Sequence, residues 1–301
     1  MRHPYVIETD GAARGGGSFP PLLAIAHGSR DPRAAAAVAE LLGRVRRSAA
    51  ARGLPGLQVV TAYLDHAPPS PAQVLGALHG ATSRWTAPPR ASTRAGGSGG
   101  PHPRAGTVIA LPLLLTDAYH SKTDIPSVLR AAAAARPAMR IRYGETLGPH
   151  PLLISAMERR LAQAGVRIGD PRTAVVLAAA GSTDPAAKAV ICRLAQDWQA
   201  LRGWRNVVPA FASAASPAPA EAVTTLRRGG APRVAVASYL LAPGLFADKI
   251  RSTSLAAGAA VVSAELAQAP ELADLVLERY AAALRSAPVL AFPENAGRHL
   301  A

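Results

Sequence analysis

Cysteine is almost missing from this chain: Cys192 stands alone among 301 residues. A single thiol excludes an intrachain disulfide framework and any metal site built from clustered cysteines. Aromatic residues make up only 4% of the sequence, so cores must be packed with Leu, Val, Ile and a large excess of Ala. Lysine is scarce as well, with Lys122, Lys188 and Lys249 the only three among 33 basic residues. No apolar run approaches the roughly 18 residues that a membrane helix needs. Met1 to Gly17 is polar and glycine-rich, without the apolar stretch of a signal peptide. These features lead us to expect a cytoplasmic protein with no membrane contact. There is no basic helix with interleaved aromatics, no finger spacing and no RNA-binding sheet signature, so no nucleic-acid partner is expected. No phosphate-binding glycine-rich loop follows a strand, so neither ATP nor an organic cofactor is expected.

What the chain does have is a net charge of +14, carried almost entirely by arginine. Two readings stay open. One is a compositional bias toward Arg and Ala codons. The other is a polyanionic partner, drawn in over a Debye length of about 10 Å. A small molecule with many carboxylates meets the second reading as well as a nucleic acid does.

The chain also repeats itself. Leu23-Ala24-Ile25-Ala26-His27-Gly28-Ser29-Arg30-Asp31-Pro32 returns in weaker form as Leu177-Ala178-Ala179-Ala180-Gly181-Ser182-Thr183-Asp184-Pro185. Leu111-Pro112-Leu113-Leu114-Leu115, leading to Tyr119-His120, is matched by Ala237-Ser238-Tyr239-Leu240-Leu241, leading to Leu245-Phe246. Short apolar runs alternate throughout with Ala-rich amphipathic segments, the pattern of βα units and parallel sheets. The expected fold class is therefore α/β, with two tandem doubly wound parallel-sheet domains related by internal duplication. The expected boundaries are a flexible tail over 1–20, a first domain over 21–168, a second over 169–286 and a tail over 287–301. Between the second and third strands the spacing of the two copies shrinks abruptly. This locates a Gly/Ser/Pro/Arg-rich insertion at about 84–105, whose composition predicts disorder.

In such sheets ligands bind outside the carboxyl ends of the strands. His27 follows the first strand, Asp65 ends the second and His120 follows the third. Two imidazoles and a carboxylate form a borderline N/O set suited to Fe²⁺, Co²⁺ or Ni²⁺. The second copy has Ala180 and Phe246 where the first has His27 and His120, so one active site is expected, in the first half. Asp65 is open between a turn carboxylate and a helper to the histidines. His66 is expected to face solvent and His150 to start a helix. Gly28 allows close approach of a ligand. Ser29 and Arg30 are candidates to grip a carboxylate at the helix start. Asp31 and its counterpart Asp184 are expected to cap their helices. A serine hydrolase is excluded, because the nucleophile elbow needs Gly two residues on either side of Ser29, where His27 and Asp31 stand.

Ala26-His27-Gly28-Ser29-Arg30-Asp31-Pro32 together with Tyr119-His120-Ser121-Lys122-Thr123-Asp124-Ile125-Pro126 resembles the class II chelatases. More narrowly, the chain is similar to sirohydrochlorin chelatases of the CbiX and SirB type, in double-length form with a degenerate second half. Ala62-Tyr63-Leu64-Asp65 with Pro69-Ser70 resembles that family's aromatic-Leu-Glu…Pro-Ser stretch, with Asp65 where Glu is usual. The resemblance implies a flavodoxin-like chelatase fold and insertion of a divalent metal, Fe²⁺ or Co²⁺, into sirohydrochlorin, a tetrapyrrole with eight carboxylates. Iron leads toward sirohaem and cobalt toward cobalamin, and the absence of a His-rich tail favours iron. It further implies His27 and His120 as catalytic and metal-binding, with Asp65 as acidic helper. Ser29, Arg30 and Lys122 are expected to hold substrate carboxylates. The expected assembly is a monomer whose two domains form the cleft. The alternative from another class is a non-catalytic tetrapyrrole or metal carrier on the same fold.

Overall fold

The structure, a computed structural model, describes residues 19–83, 106–117, 120–137 and 139–285, with backbone only for 80–83 and 120. The expected insertion at 84–105 and the expected tails, Phe19 and Pro20 apart, lie outside the described residues. The first half runs β1 (Leu22–Ala26), α1 (Pro32–Ala51), β2 (Val59–Tyr63), α2 (Pro71–Ser83), β3 (Thr107–Pro112), a π-helical turn (His120–Asp124), α3 (Ile125–Ala134), β4 (Arg140–Tyr143) and α4 (Pro151–Gln163). The second runs β5 (Thr173–Ala179), α5 (Pro185–Leu201), β6 (Asn206–Phe211), α6 (Pro219–Arg228), β7 (Arg233–Tyr239), α7 (Leu245–Ala256), β8 (Val261–Val262) and α8 (Pro270–Arg285).

Each half builds one parallel four-stranded sheet, in the orders β2-β1-β3-β4 and β6-β5-β7-β8. The duplication extends to the register: Ala24 lies opposite Leu111 in one sheet, and its counterpart Leu177 lies opposite Ala237 in the other. β1 and β5 are buried along their whole length, as strands covered by helices on both faces must be. The chain leaves β1 for β2 on one side and returns to β3 on the other. The crevice of the fold therefore opens beside the carboxyl end of β1. β3 ends at Pro112, which has no N–H to offer a neighbour, although the Leu113 amide still donates to the Ile25 carbonyl at 2.7 Å.

Helix starts follow the capping chemistry read from the sequence. Asp31 accepts from the Arg33 amide at 2.9 Å and Asp184 from the Ala186 amide at 2.8 Å, each ahead of a first-turn proline. His150 heads α4, its Nδ1 accepting from the Leu152 amide at 3.2 Å.

Packing welds the halves together. Helices α2 and α3 cover the outer face of the first sheet through Leu75, Ile125 and Leu129, and α6 and α7 cover that of the second through Val223 and Ile250. The inner faces share one core, continuous from Leu22 and Ala24 to Val175 and Leu177, filled by α1, α4, α5 and α8. The last helix of each half crosses over: α8 packs on α1 and β3, and α4 packs on β7. Tyr280 of α8, fully buried, donates to the Pro20 carbonyl at 2.8 Å, and Asp274 pairs with Arg52 at 2.6 Å. Glu158 of α4 accepts from the indole of the buried Trp198 on α5 at 2.9 Å.

Candidate active site

The site starts from a glycine. Gly28 has φ +97°, and a Cβ there would stand 1.8 Å from the Asp65 carbonyl. Only glycine lets the loop after β2 cross this closely over the loop after β1. Two hydrogen bonds secure the crossing: the Leu64 amide donates to the Ala26 carbonyl at 3.1 Å, and the Asp65 amide to the His27 carbonyl at 2.9 Å. The strand ladder thus extends past the sheet and presents His27 at its end, exposed to the cleft.

Beyond the crossing, His66 takes φ +62°, unusual for a side chain of its size. The turn brings the His66 ring to 6.3 Å from that of His27, centroid to centroid. Asp65 holds it there. Its carboxylate accepts from the His66 amide at 2.7 Å and lies 3.4 Å from His66 Nε2. His66 is solvent-exposed, as expected, and also lines the cleft, whereas Asp65, 63% exposed, lies beside it outside the cleft lining. The feature that singled out His27 also marks His66, because Ala214 stands in its place in the second copy.

The second copy keeps this backbone without its titratable groups. Gly181 also has φ +97°, its Cβ position 1.9 Å from the Ser213 carbonyl, and Ala214 has φ +57°. The Ser213 amide donates to the Ala180 carbonyl at 3.0 Å. Ala180, Ser213 and Ala214 therefore occupy the stations of His27, Asp65 and His66.

His120 opens the π-helical turn that follows β3, the strand next to β1; its side chain lies outside the described residues. Such turns often mark functional positions. This one is anchored, since Tyr143 donates to the Ser121 carbonyl at 2.9 Å and Ser121 donates to Asp117 at 2.6 Å. Burial, with Asp117 nearby, pushes the Tyr143 hydroxyl well above its usual pKa, which keeps it a donor.

Ser29 and Arg30 line the cleft. The Ser29 Oγ accepts from the Asp31 amide at 3.0 Å. Arg30 is exposed and has no ion-pair partner among the described residues. Lys122 is not part of the cleft lining. It lies 3.6 Å from Asp117 and 3.8 Å from Asp184, so it bridges the two halves.

The cleft has a volume of about 1230 Å³, above the roughly 300–1,000 Å³ usual for small-ligand sites. Its first wall carries His27, Ser29, Arg30 and His66, and its second carries Lys188, Tyr239, Leu245 and Phe246. Two cross-half contacts brace it. Arg33 pairs with Asp248 at 2.5 Å on the rim, and the buried Tyr239 donates to the Leu115 carbonyl at 2.9 Å. Among the described residues, no three His, Cys, Asp or Glu side chains gather closely enough to hold a metal ion. None of the helices in this part of the chain is long and apolar enough to cross a membrane.

Comparison with known proteins yields a consistent group. The family model for CbiX matches residues 21–88, 102–164 and 174–283. The sirohydrochlorin ferrochelatase of Bacillus subtilis (strain 168) is 31% identical over 143 residues, covering 48% of this chain and 54% of that protein. The sirohydrochlorin cobaltochelatase of Priestia megaterium is 26% identical over 148 residues, covering 48% of each. The chain thus spans about half the length of the curated relatives it matches. Among solved structures, SirB from Bacillus subtilis with Fe³⁺ superposes with a TM-score of 0.68 at 23% identity, covering 88% of this chain and 95% of that one. SirB from Bacillus subtilis subspecies spizizenii in complex with cobalt gives 0.63 at 22%, covering 86% and 93%. At these identities the two superpositions speak for the fold.

Proposed function

The chain belongs to the CbiX family, and on that premise we propose that it is a sirohydrochlorin chelatase, a lyase inserting Fe²⁺ or Co²⁺ into the macrocycle. Iron is the favoured metal and sirohaem the favoured product, with cobalt insertion for cobalamin as the alternative. The observation that carries the reading is the asymmetry of the cleft. One backbone arrangement is built twice, and only the half with His27 and His66 keeps imidazoles on it. The relatives named above act as sirohydrochlorin ferrochelatase and cobaltochelatase, which supports the same substrate here.

Insertion requires the metal to shed water and two pyrrole nitrogens to lose protons. In this reading His27 and His120 hold the incoming metal, which is substrate and not a resident cofactor. His66 stands beside His27 on one side of the cleft, where its imidazole accepts the two pyrrole protons one after the other, releasing each before taking the next. Asp65 orients His66 and passes the proton to solvent, the role its outward carboxylate suits. Shortening the family's usual Glu to Asp agrees with a carboxylate acting through a histidine. Arg30 and Ser29 hold carboxylates at the macrocycle edge. Lys122 serves by closing the halves together, since its ammonium already faces Asp117 and Asp184. The first half, 21–168, carries the chemistry, and 169–286 completes the cleft. The protein works as a cytoplasmic monomer without an organic cofactor.

The test is anaerobic mixing of substoichiometric protein with sirohydrochlorin and Fe²⁺ or Co²⁺, followed by absorption spectroscopy. The expected result is many turnovers with wild type and at least an about hundredfold loss in His27→Ala and His120→Ala, both folded. A spectrum that changes only to a one-to-one limit identifies a carrier and defeats the proposal.

A further inference from the structure

Resting on that reading, we propose that the second half is the substrate-holding half. Leu245 and Phe246 form an apolar platform for one face of the macrocycle, and Lys188 takes a peripheral carboxylate. The internal repeat allows each cleft residue to be compared with its twin. Phe246 occupies the station of His120, and Lys188, the fourth residue of α5, occupies that of Ala35, the fourth residue of α1. The second half has therefore exchanged an imidazole for an apolar ring and a methyl for a cation. Both changes remove or bypass metal chemistry and add grip.

Exposure supports the platform. Leu245 is 81% and Phe246 40% exposed, both on the cleft wall. Large apolar side chains left bare in a concave site commonly mark where a ligand lies. The backbone is bent to present them. Gly244, immediately before, has φ +152° and ψ −171°, a combination essentially restricted to glycine, and it starts α7 at the cleft edge.

Charge supports the anchor. Lys188 lines the cleft 5.9 Å from the Phe211 ring centroid and has no ion-pair partner among the described residues. Arg30, on the opposite wall, is likewise a cation with no ion-pair partner among the described residues. A ligand with flat apolar faces and a carboxylate rim satisfies both sets at once: the platform covers a face while the two cations take the edge. A cleft of about 1230 Å³ admits a ligand of that size.

The experiment measures binding of metal-free sirohydrochlorin by fluorescence and, in parallel, Co²⁺ insertion by absorption. Phe246→Ala and Lys188→Gln are expected to raise Kd and KM by about five- to tenfold, the scale of one aromatic contact or one charge-assisted bond. Their kcat is expected to stay within about twofold, because neither touches the reacting nitrogens. Phe246→Tyr should bind as wild type does, and Lys188→Gln should flatten the salt dependence of Kd. Both positions are exposed, so melting temperatures should not move. An unchanged Kd in either Phe246→Ala or Lys188→Gln overturns the proposal. The control is His27→Ala, expected to bind normally without turning over. Wild type that binds, with both variants weakened, but never inserts metal would sink the chelatase reading and leave this one standing.

Discussion

The two glycines at matching stations offer an internal control for the placement of the site. In Gly28→Ala the new Cβ would lie 1.8 Å from the Asp65 carbonyl, and in Gly181→Ala 1.9 Å from the Ser213 carbonyl, both at φ +97°. The backbone conformation alone costs an L residue about 1–2 kcal/mol. Relieving the clash moves a carbonyl by roughly 1 Å and disrupts the two amide bonds behind it, worth about 1 kcal/mol each. The sum is roughly 3–4 kcal/mol in either variant. For a chain of this size that lowers the melting temperature by about 5–10 °C. Circular dichroism should therefore find two similar melts. Turnover should separate them. The loop displaced in Gly28→Ala carries Asp65 and His66 and is bonded to His27, so an about 1 Å shift should cost on the order of a hundredfold in kcat/KM. The loop displaced in Gly181→Ala carries Ser213 and Ala214, and kcat should fall only several-fold. Equal loss of kcat in two variants that are both folded at the assay temperature would refute the single-site reasoning. Undisturbed melts would refute the clash itself.

Two further outcomes follow from the packing. Tyr239→Phe removes the hydroxyl that joins β7 to the Leu115 carbonyl across the halves, so urea denaturation should show a loss of about 1 kcal/mol. His150 gives a pH effect. Burial pushes its pKa below the ordinary 6.5, Glu278 opposes this, and Arg279 adds to it. The folded state therefore binds the proton less readily than the unfolded chain, and the neutral ring's contribution is complete above about pH 6.5. It is lost as pH falls from there through the folded value, where protonation of Nδ1 also ends the cap on α4. His150→Asn keeps a capping oxygen and should make stability less sensitive to pH in that window. Melts from pH 7.5 to 5 that decline equally in both proteins would contradict this.

The candidate site is marked in the sequence because its signals are local. A βα alternation needs only periodicity, and a duplicated motif needs only two segments to compare. His27 and His120 stand out as histidines that a second copy of the same loop has lost. His66 passes the same test and was missed, because residue type says nothing about φ. With φ at +62° its ring lies 6.3 Å from that of His27. Asp65 was open between a turn carboxylate and a helper to the histidines, and its carboxylate lies against both the amide and the ring of His66.

The sequence by itself determined that this protein is a duplicated parallel α/β chain with its imidazoles at the strand ends of one half. Hydrophobic period, turn glycines and capping carboxylates act within a few residues, so those features are written locally. Only the tertiary structure decided that α4 and α8 trade places, that the halves share one core, and that Lys188, Leu245 and Phe246 face His27 across a common cleft. Those relations join residues more than a hundred positions apart. They depend on how two sheets and four helices bury their remaining apolar faces together, which no local pattern records.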